Sequence, residues 1–313
     1  MIISASRRTD IPALYAEWFS TRIREGYCAV PNPFNRKQVS YVSLSPEDVD
    51  VIVFWTRNPK PLFPYLQELD DRGFRYYFQF TLLDYPRMLD PKSPGLNASL
   101  AVFKELADRI GPERVIWRYD PLVFSRKTSY KFHLASFSKI SAALEGCTRR
   151  SVISVMDFYR KAQSRFKALE EQGLEILPVD PHEDAFADLI RDFLTISESH
   201  GMELVSCAEK FDLVRLGVRP GKCIDDQLIN EMFDHQVSST KDPYQREQCG
   251  CVQSKDIGMY DSCIYGCQYC YATRSFERAR KNYQEHDPES PSLLGWFDAE
   301  LPEPDCQLNM FDD

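Results

Sequence analysis

Val51-Ile52-Val53-Phe54-Trp55 runs without a polar interruption into Thr56-Arg57-Asn58-Pro59. A continuous apolar run of this length, read as a strand over Asp50–Trp55, fits burial on both faces, as in a parallel sheet covered by other layers. The pattern of an apolar run ending in charged residues recurs on both sides of it. Ile2–Ala5 meets Ser6-Arg7-Arg8-Thr9-Asp10, and Tyr76–Leu82 exits at Gln79 and Thr81. Arg114–Trp117 runs into Arg118-Tyr119-Asp120-Pro121, Arg150–Val155 ends near Met156 and Asp157, and Glu203–Ser206 exits into Cys207-Ala208-Glu209-Lys210.

Helical patterns fill the intervals. Ile11–Glu25 has Asp10 as its cap, Pro12 in its first turn and Gly26 as its stop. Pro61–Arg72, Asn97–Ile110, Tyr130–Leu144, Ala162–Gln172 and Glu183–His200 follow, while Val39–Leu44 reads as a short extra strand. Six strands alternating with helices predict an α/β fold: a parallel (β/α) barrel, partial or complete, over residues 1–210. In such a fold the loops at the C-terminal strand ends carry the active site.

That rim therefore supplies the candidate site residues. Arg7, Arg8 and Asp157 are expected to hold an anionic or nucleotide-like substrate, and Arg57 and Arg118 a cofactor, because guanidinium forks match phosphate and carboxylate oxygens. Asp10, Asp120 and Glu209 are candidates for general acid–base work or for gripping ribose hydroxyls; each could equally be the structural partner of a rim arginine. Cys207 reads as a fourth metal ligand, a hydrogen donor or a small buried hydrophobe.

Beyond Cys207 the periodicity fades. Gly217–Ile224 reads as a loop, Asp225–Phe233 as a short helix and Ser238–Gln248 as a polar connector. The connector leads to Cys249-Gly250-Cys251 and then to Cys263-Ile264-Tyr265-Gly266-Cys267-Gln268-Tyr269-Cys270-Tyr271. Short spacings let one loop aim several soft thiolates at a common point, which leaves zinc and iron–sulfur as the choices. Zinc usually takes two separated Cys-x2-Cys pairs or adds histidines. Only Cys267-x2-Cys270 has that spacing here, and the nearest histidines are His235 and His286. Three close cysteines suit a cubane with one iron left open; Cys249 and Cys251 are further candidate ligands, for a second cluster or to close off the first.

Cys263, Cys267, Tyr269 and Cys270 resemble the cluster loop of radical S-adenosylmethionine enzymes, and the Cys-Gln-Tyr-Cys-Tyr run looks most like the spore photoproduct lyase branch. That resemblance implies a [4Fe–4S] cluster on the three cysteines, with Tyr269 beside the cofactor. It also implies S-adenosylmethionine on the open iron, cleaved to a 5′-deoxyadenosyl radical, and an electron donor such as flavodoxin or ferredoxin. From Ser4-Ala5-Ser6-Arg7-Arg8-Thr9-Asp10 to this loop, the chain is similar to a bacterial family of unknown function known mainly for a radical-SAM-like cysteine cluster at its C-terminus. It departs from typical radical enzymes in two ways. The cysteine loop follows the last strand rather than the first, and Trp55-Thr56-Arg57-Asn58-Pro59 replaces a Gly-Gly-Glu-like element that would grip the cofactor's amino group.

A chain of 313 residues with 43% hydrophobic and 27% charged residues is expected to fold as a globular protein. It shows no apolar run long enough for a membrane span and no signal peptide. Ten cysteines without a secretion signal predict a reducing, cytoplasmic setting and metal rather than disulfides. A net charge of −9 argues against coating nucleic acid through bulk charge. Five scattered histidines disfavour histidine-based hydrolysis, and neither a phosphate-binding glycine loop nor a serine nucleophile elbow is present.

Residues 211–285 read as a cysteine-rich module on the barrel rim, with a basic helix at Phe276–Tyr283, and 286–313 as an acidic, proline-rich tail that wraps the surface or is disordered. Gln307-Leu308-Asn309-Met310-Phe311 resembles the peptide by which bacterial DNA-processing proteins dock on the sliding clamp; the plainer reading is a tail that tucks Met310 and Phe311 into the barrel. Three functions remain. The first is a radical-SAM-like iron–sulfur enzyme. The second is a non-redox barrel hydrolase or lyase with a structural zinc or iron–sulfur knot. The third is a cluster-containing binding protein that docks on a DNA-processing partner.

Overall fold

Parallel strands laid down side by side in sequence order, joined by right-handed crossovers, leave all their connecting helices on one face of the sheet. The structure, a computed structural model that describes residues 1–300, follows this rule. Its strands are β1 (Ile2–Ala5), β2 (Tyr27–Pro31), β3 (Val39–Ser43), β4 (Val51–Thr56), β5 (Tyr76–Thr81) and β6 (Val115–Leu122). Then come β7 (Phe124–Ser125), β8 (Arg150–Val155), β9 (Ile176–Leu177), β10 (Glu203–Cys207), β11 (Arg219–Gly221) and β12 (Lys255–Asp256). Eight of them form one parallel sheet in the order β11-β10-β8-β6-β5-β4-β1-β12, and two small antiparallel pairs, β2–β3 and β7–β9, lie outside it. All six expected strands of the parallel fold are present.

The helices are α1 (Ile11–Leu14), α2 (Ala16–Glu25), α3 (Phe63–Asp71), α4 (Leu96–Ile110), α5 (Tyr130–Ala143), α6 (Gln163–Glu171), α7 (Asp184–Ser199), α8 (Asp226–Phe233) and α9 (Phe276–Gln284). Side chains alternate between sheet faces with period two. Ile52, Phe54, Tyr76, Phe78, Val115, Trp117, Ile153 and Leu204 form one buried core with Phe19, Leu66, Phe103, Phe137, Phe166 and Phe193 of helices α2 to α7. Their alternates Ile2, Val51, Val53, Tyr77, Ile116, Val152 and Val205 form a second core on the opposite face. There the cover is not a helical layer but Cys223, Ile224, Leu228 and Ile229 at α8, together with Cys249, Cys251 and Val252. The C-terminal part of the chain thus covers the face of the sheet opposite helices α2 to α7.

Four expectations change. The helix expected over Ile11–Glu25 breaks at Tyr15, whose φ of −139° leaves helical space and whose hydroxyl donates to the Ser262 carbonyl at 2.7 Å. The strand expected to stop at Trp117 continues to Leu122, because Arg118 and Asp120 alternate toward a cavity while Tyr119 stays in the helix-side core. The loop expected over Gly217–Ile224 contributes edge strand β11, and β12 forms the other edge beside β1. Part of the expected surface tail is packed instead: Leu293 is 1% exposed, and Trp18 Nε1 donates to the Ser290 carbonyl at 2.9 Å. The Gln307–Phe311 motif lies outside the described residues. Among residues 1–300, no helix is long and apolar enough to cross a membrane.

Candidate functional site

The C-terminal ends of β1, β4, β5, β6, β8 and β10 open onto one cavity of about 430 Å³, roofed by residues 244–251 and 263–272. Every candidate residue named above lines it. Arg7, Arg8 and Asp10 follow β1, Arg57 follows β4, Arg118 and Asp120 belong to β6, Asp157 follows β8, and Cys207 and Glu209 lie at the end of β10. Cys249, Cys251, Cys263, Cys267, Tyr269 and Cys270 come down from the roof.

The roof is fastened to the strand ends by charge. Arg57 Nη1 pairs with Asp90 at 2.8 Å and donates to Ser93 Oγ at 3.1 Å, while its Nη2 donates to the Tyr269 hydroxyl. That hydroxyl in turn donates to Asp90 at 2.8 Å. From α6, Arg165 donates to the carbonyls of Gln268 at 2.7 Å and Thr273 at 2.9 Å, and also to that of Cys270. Three donors on one rigid guanidinium therefore shape the loop that carries the last two cysteines. Gly266 lets that loop turn at φ +75°, in the left-handed region that glycine enters without steric cost.

A second fastening runs through Asp256 at the end of β12. It accepts from Ser4 Oγ at 2.9 Å, Ser6 Oγ at 2.6 Å, the Arg7 amide at 2.9 Å and the Gly258 amide at 2.9 Å. It also pairs with Arg8 at 3.1 Å, and this set of donors holds its carboxyl below the usual range although burial pushes the other way. Chain passage here is tight. A Cβ on Gly258 would come within 2.0 Å of Ser6 Oγ.

Most rim charges are already matched. Arg118 donates to Asp120 through Nε at 3.0 Å and again through Nη2, and reaches Gln79 at 3.2 Å and Cys223 Sγ at 2.9 Å through Nη1. Asp157 takes Lys210 at 3.1 Å and also Arg246. Arg7 differs: its guanidinium lies 5.0 Å above the Trp55 ring, and its buried Nη2 has no hydrogen-bond partner among the described residues. Burial pushes the Asp10 carboxyl up to about 7, against amide donation from Arg57 at 2.7 Å and Ala13 at 3.1 Å. It pushes Glu209 up to about 8, against amide donation from Val155 at 2.6 Å. Two carboxyls able to exchange protons near neutral pH thus share one rim.

Burial also raises the Cys263 thiol to about 12 and the Cys267 thiol well above its ordinary value. Among the described residues no three histidine, cysteine, aspartate or glutamate side chains converge as ligands of a single metal ion. A cubane asks for something different, since each thiolate binds a separate iron of the same cluster. Three cysteines on one loop facing a cavity, with Arg57 as a counter-charge to bound thiolates, are compatible with it.

Four residues of this architecture escaped the sequence reading. Cys223 follows an unremarkable Gly-Lys pair; its only signal is another cysteine, Cys207, on a strand end upstream. Asp90, Arg165 and Asp256 bear on the cysteine loop or the rim across long sequence separations, and their own neighbourhoods look like ordinary loop and helix.

A family model described as a domain of unknown function (DUF1848) matches residues 2–272, from β1 through the cysteine loop, and the chain belongs to that family. No curated protein matches the chain.

Proposed function

We propose that this protein is an iron–sulfur enzyme of radical-SAM-like type acting on an anionic, nucleotide-like substrate. The observation that carries the reading is that Cys263, Cys267 and Cys270 line the same cavity as Arg7, Arg57 and Arg118 at the C-terminal edge of a parallel sheet. Those three cysteines would hold a [4Fe–4S] cluster, and Tyr269 and Arg57 would lie beside the cofactor. The chemistry such a group supplies, with S-adenosylmethionine, is hydrogen abstraction after one-electron reduction; flavodoxin or ferredoxin is a suitable donor.

The chain's own residues have separable tasks. Arg57 is anchored on Asp90 and Arg8 on Asp256, so Arg7 keeps a donor to spare for an anion. Burial lifts Asp10 to about 7 and Glu209 to about 8, so both carboxyls titrate near neutral pH, which suits proton transfer to or from a bound substrate. The sheet itself reads as an opened barrel: its strands from β1 to β11 follow sequence order, helices α2 to α7 share one face, and the short strands β11 and β12 form its edges. The same two carboxyls favour a second reading, a non-redox hydrolase or lyase in which the cysteine loop is a structural knot.

Anaerobic purification, then EPR of the reduced protein with and without S-adenosylmethionine, tests the proposal. A reduced-cluster signal that shifts on adding S-adenosylmethionine, release of 5′-deoxyadenosine, and loss of both in Cys263→Ala/Cys267→Ala/Cys270→Ala are expected. A signal indifferent to the cofactor, with no 5′-deoxyadenosine, would move the assignment to the carboxylate reading.

A further inference from the structure

The remaining cavity cysteines are a group of their own. Cys207 ends β10, Cys223 follows β11, and Cys249 and Cys251 flank Gly250 in the roof. Sγ of Cys207 lies 3.1 Å from Sγ of Cys223, and Cys251 Sγ accepts from the Ile224 amide at 3.4 Å. Cys223, Cys249 and Cys251 are 5%, 7% and 1% exposed, all within the core on the face of the sheet opposite helices α2 to α7. We propose that Cys207, Cys223, Cys249 and Cys251 bind a second iron–sulfur cluster, held by four thiolates and separate from the Cys263–Cys267–Cys270 loop.

Two observations carry this. Four cysteines from three distant segments meet in one buried region, where thiols serving only as small hydrophobes have no reason to gather. Positive charge is supplied where bound thiolates would need it: Arg118 Nη1 donates to Cys223 Sγ at 2.9 Å. The 3.1 Å separation of Cys207 and Cys223 is also longer than the ~2.05 Å of a disulfide, and both are free thiols.

The test reconstitutes the full chain anaerobically with ferrous iron and sulfide, and counts both by chemical analysis and Mössbauer spectroscopy. Circular dichroism confirms that each variant is folded. Cys263→Ala/Cys267→Ala/Cys270→Ala is expected to retain about four irons with matching sulfide. Adding Cys223→Ser and Cys251→Ser to that variant should remove them. If the loop variant binds no iron, or takes zinc in preference to iron on the four cysteines, the second cluster is overturned; so it is if thiol titration shows a Cys207–Cys223 disulfide in the anaerobic protein. The two proposals fail separately. Iron lost with the loop cysteines but kept in Cys223→Ser/Cys251→Ser sinks this one alone, and the reverse pattern sinks the loop cluster alone. Should the double serine variant unfold, Cys207→Ser, at the half-buried member of the set, gives the same readout.

Discussion

The Tyr269 hydroxyl lies 2.8 Å from Asp90 Oδ1, tying the residue before the third loop cysteine to a carboxylate far upstream. Asp90 also holds Arg57, and the three side chains form a closed buried set in which each polar group has a partner. Tyr269→Phe removes the hydroxyl that accepts from Arg57 and donates to Asp90, and should cost about 1–3 kcal/mol in urea unfolding. Asp90→Ala strands the Arg57 charge and should cost about 3–5 kcal/mol. Equal losses for the two variants would show that Asp90 does not carry the set.

His133 predicts an acid limb of stability. It is fully buried, with Nε2 donating to the Val123 carbonyl at 3.1 Å and Nδ1 accepting from the Tyr119 hydroxyl at 3.1 Å. Burial lowers its pKa from 6.5 to about 4. Between those values the unfolded chain binds the extra proton, so the contribution is complete above pH 6.5 and is lost as pH falls toward 4, by roughly 3 kcal/mol in all. Urea midpoints for wild type and His133→Gln across this window check it: the wild-type slope should flatten in the variant.

Asp256→Ala is expected to do more than weaken one ion pair. Ser4, Ser6, the Arg7 amide and Arg8 all donate to this carboxylate. Its removal should cost about 3 kcal/mol or more, since Arg8 is left part-buried and unpaired. Hydrogen exchange would report faster opening of residues 2–10 than of β5, whose partners are untouched. Uniform acceleration through the sheet would contradict this.

Gly258→Ala should destabilise by about 1–3 kcal/mol through overpacking. The new methyl meets Ser6 Oγ at 2.0 Å and Thr9 Oγ1 at 2.8 Å, and both hydroxyls are held by other hydrogen bonds. Pairing it with Ser6→Gly, which clears the closest contact, should recover a good part of the loss.

Arg150 bridges Asp225 at 3.0 Å and Glu203 at 2.9 Å, and Asp225 also caps α8. Arg150→Met leaves Asp225 buried without its counter-charge, so a loss of about 3–5 kcal/mol is expected in urea unfolding. Adding Asp225→Asn should return part of it. A double variant no better than the single would assign the cost to packing.

The strands at Val51 and Tyr76 were legible because residues buried on both faces leave apolar runs, and those at Ile2, Arg150 and Glu203 because short apolar pairs such as Val152-Ile153 and Leu204-Val205 fall between helical patterns. The rim was legible because charges abutting those runs must leave the sheet at its C-terminal edge. β11 and β12 were not, since each pairs over two or three residues and shows no period. β6 was cut short because Arg118 and Asp120 look like a loop until a cavity accounts for their alternation. Cys223 was missed for a similar reason: its meaning lies in what it meets, Cys207 and Arg118, and not in its own surroundings.

The face of the sheet opposite helices α2 to α7 is covered by residues 223–252, so during synthesis Ile2, Val51, Val53, Tyr77, Ile116, Val152 and Val205 emerge from the ribosome well before their cover. The growing chain must carry one uncovered apolar sheet face through most of its translation. Such a surface invites chaperones and self-association. A stop codon just after β10 should therefore yield an aggregation-prone fragment, although every helix of the outer layer has already been made.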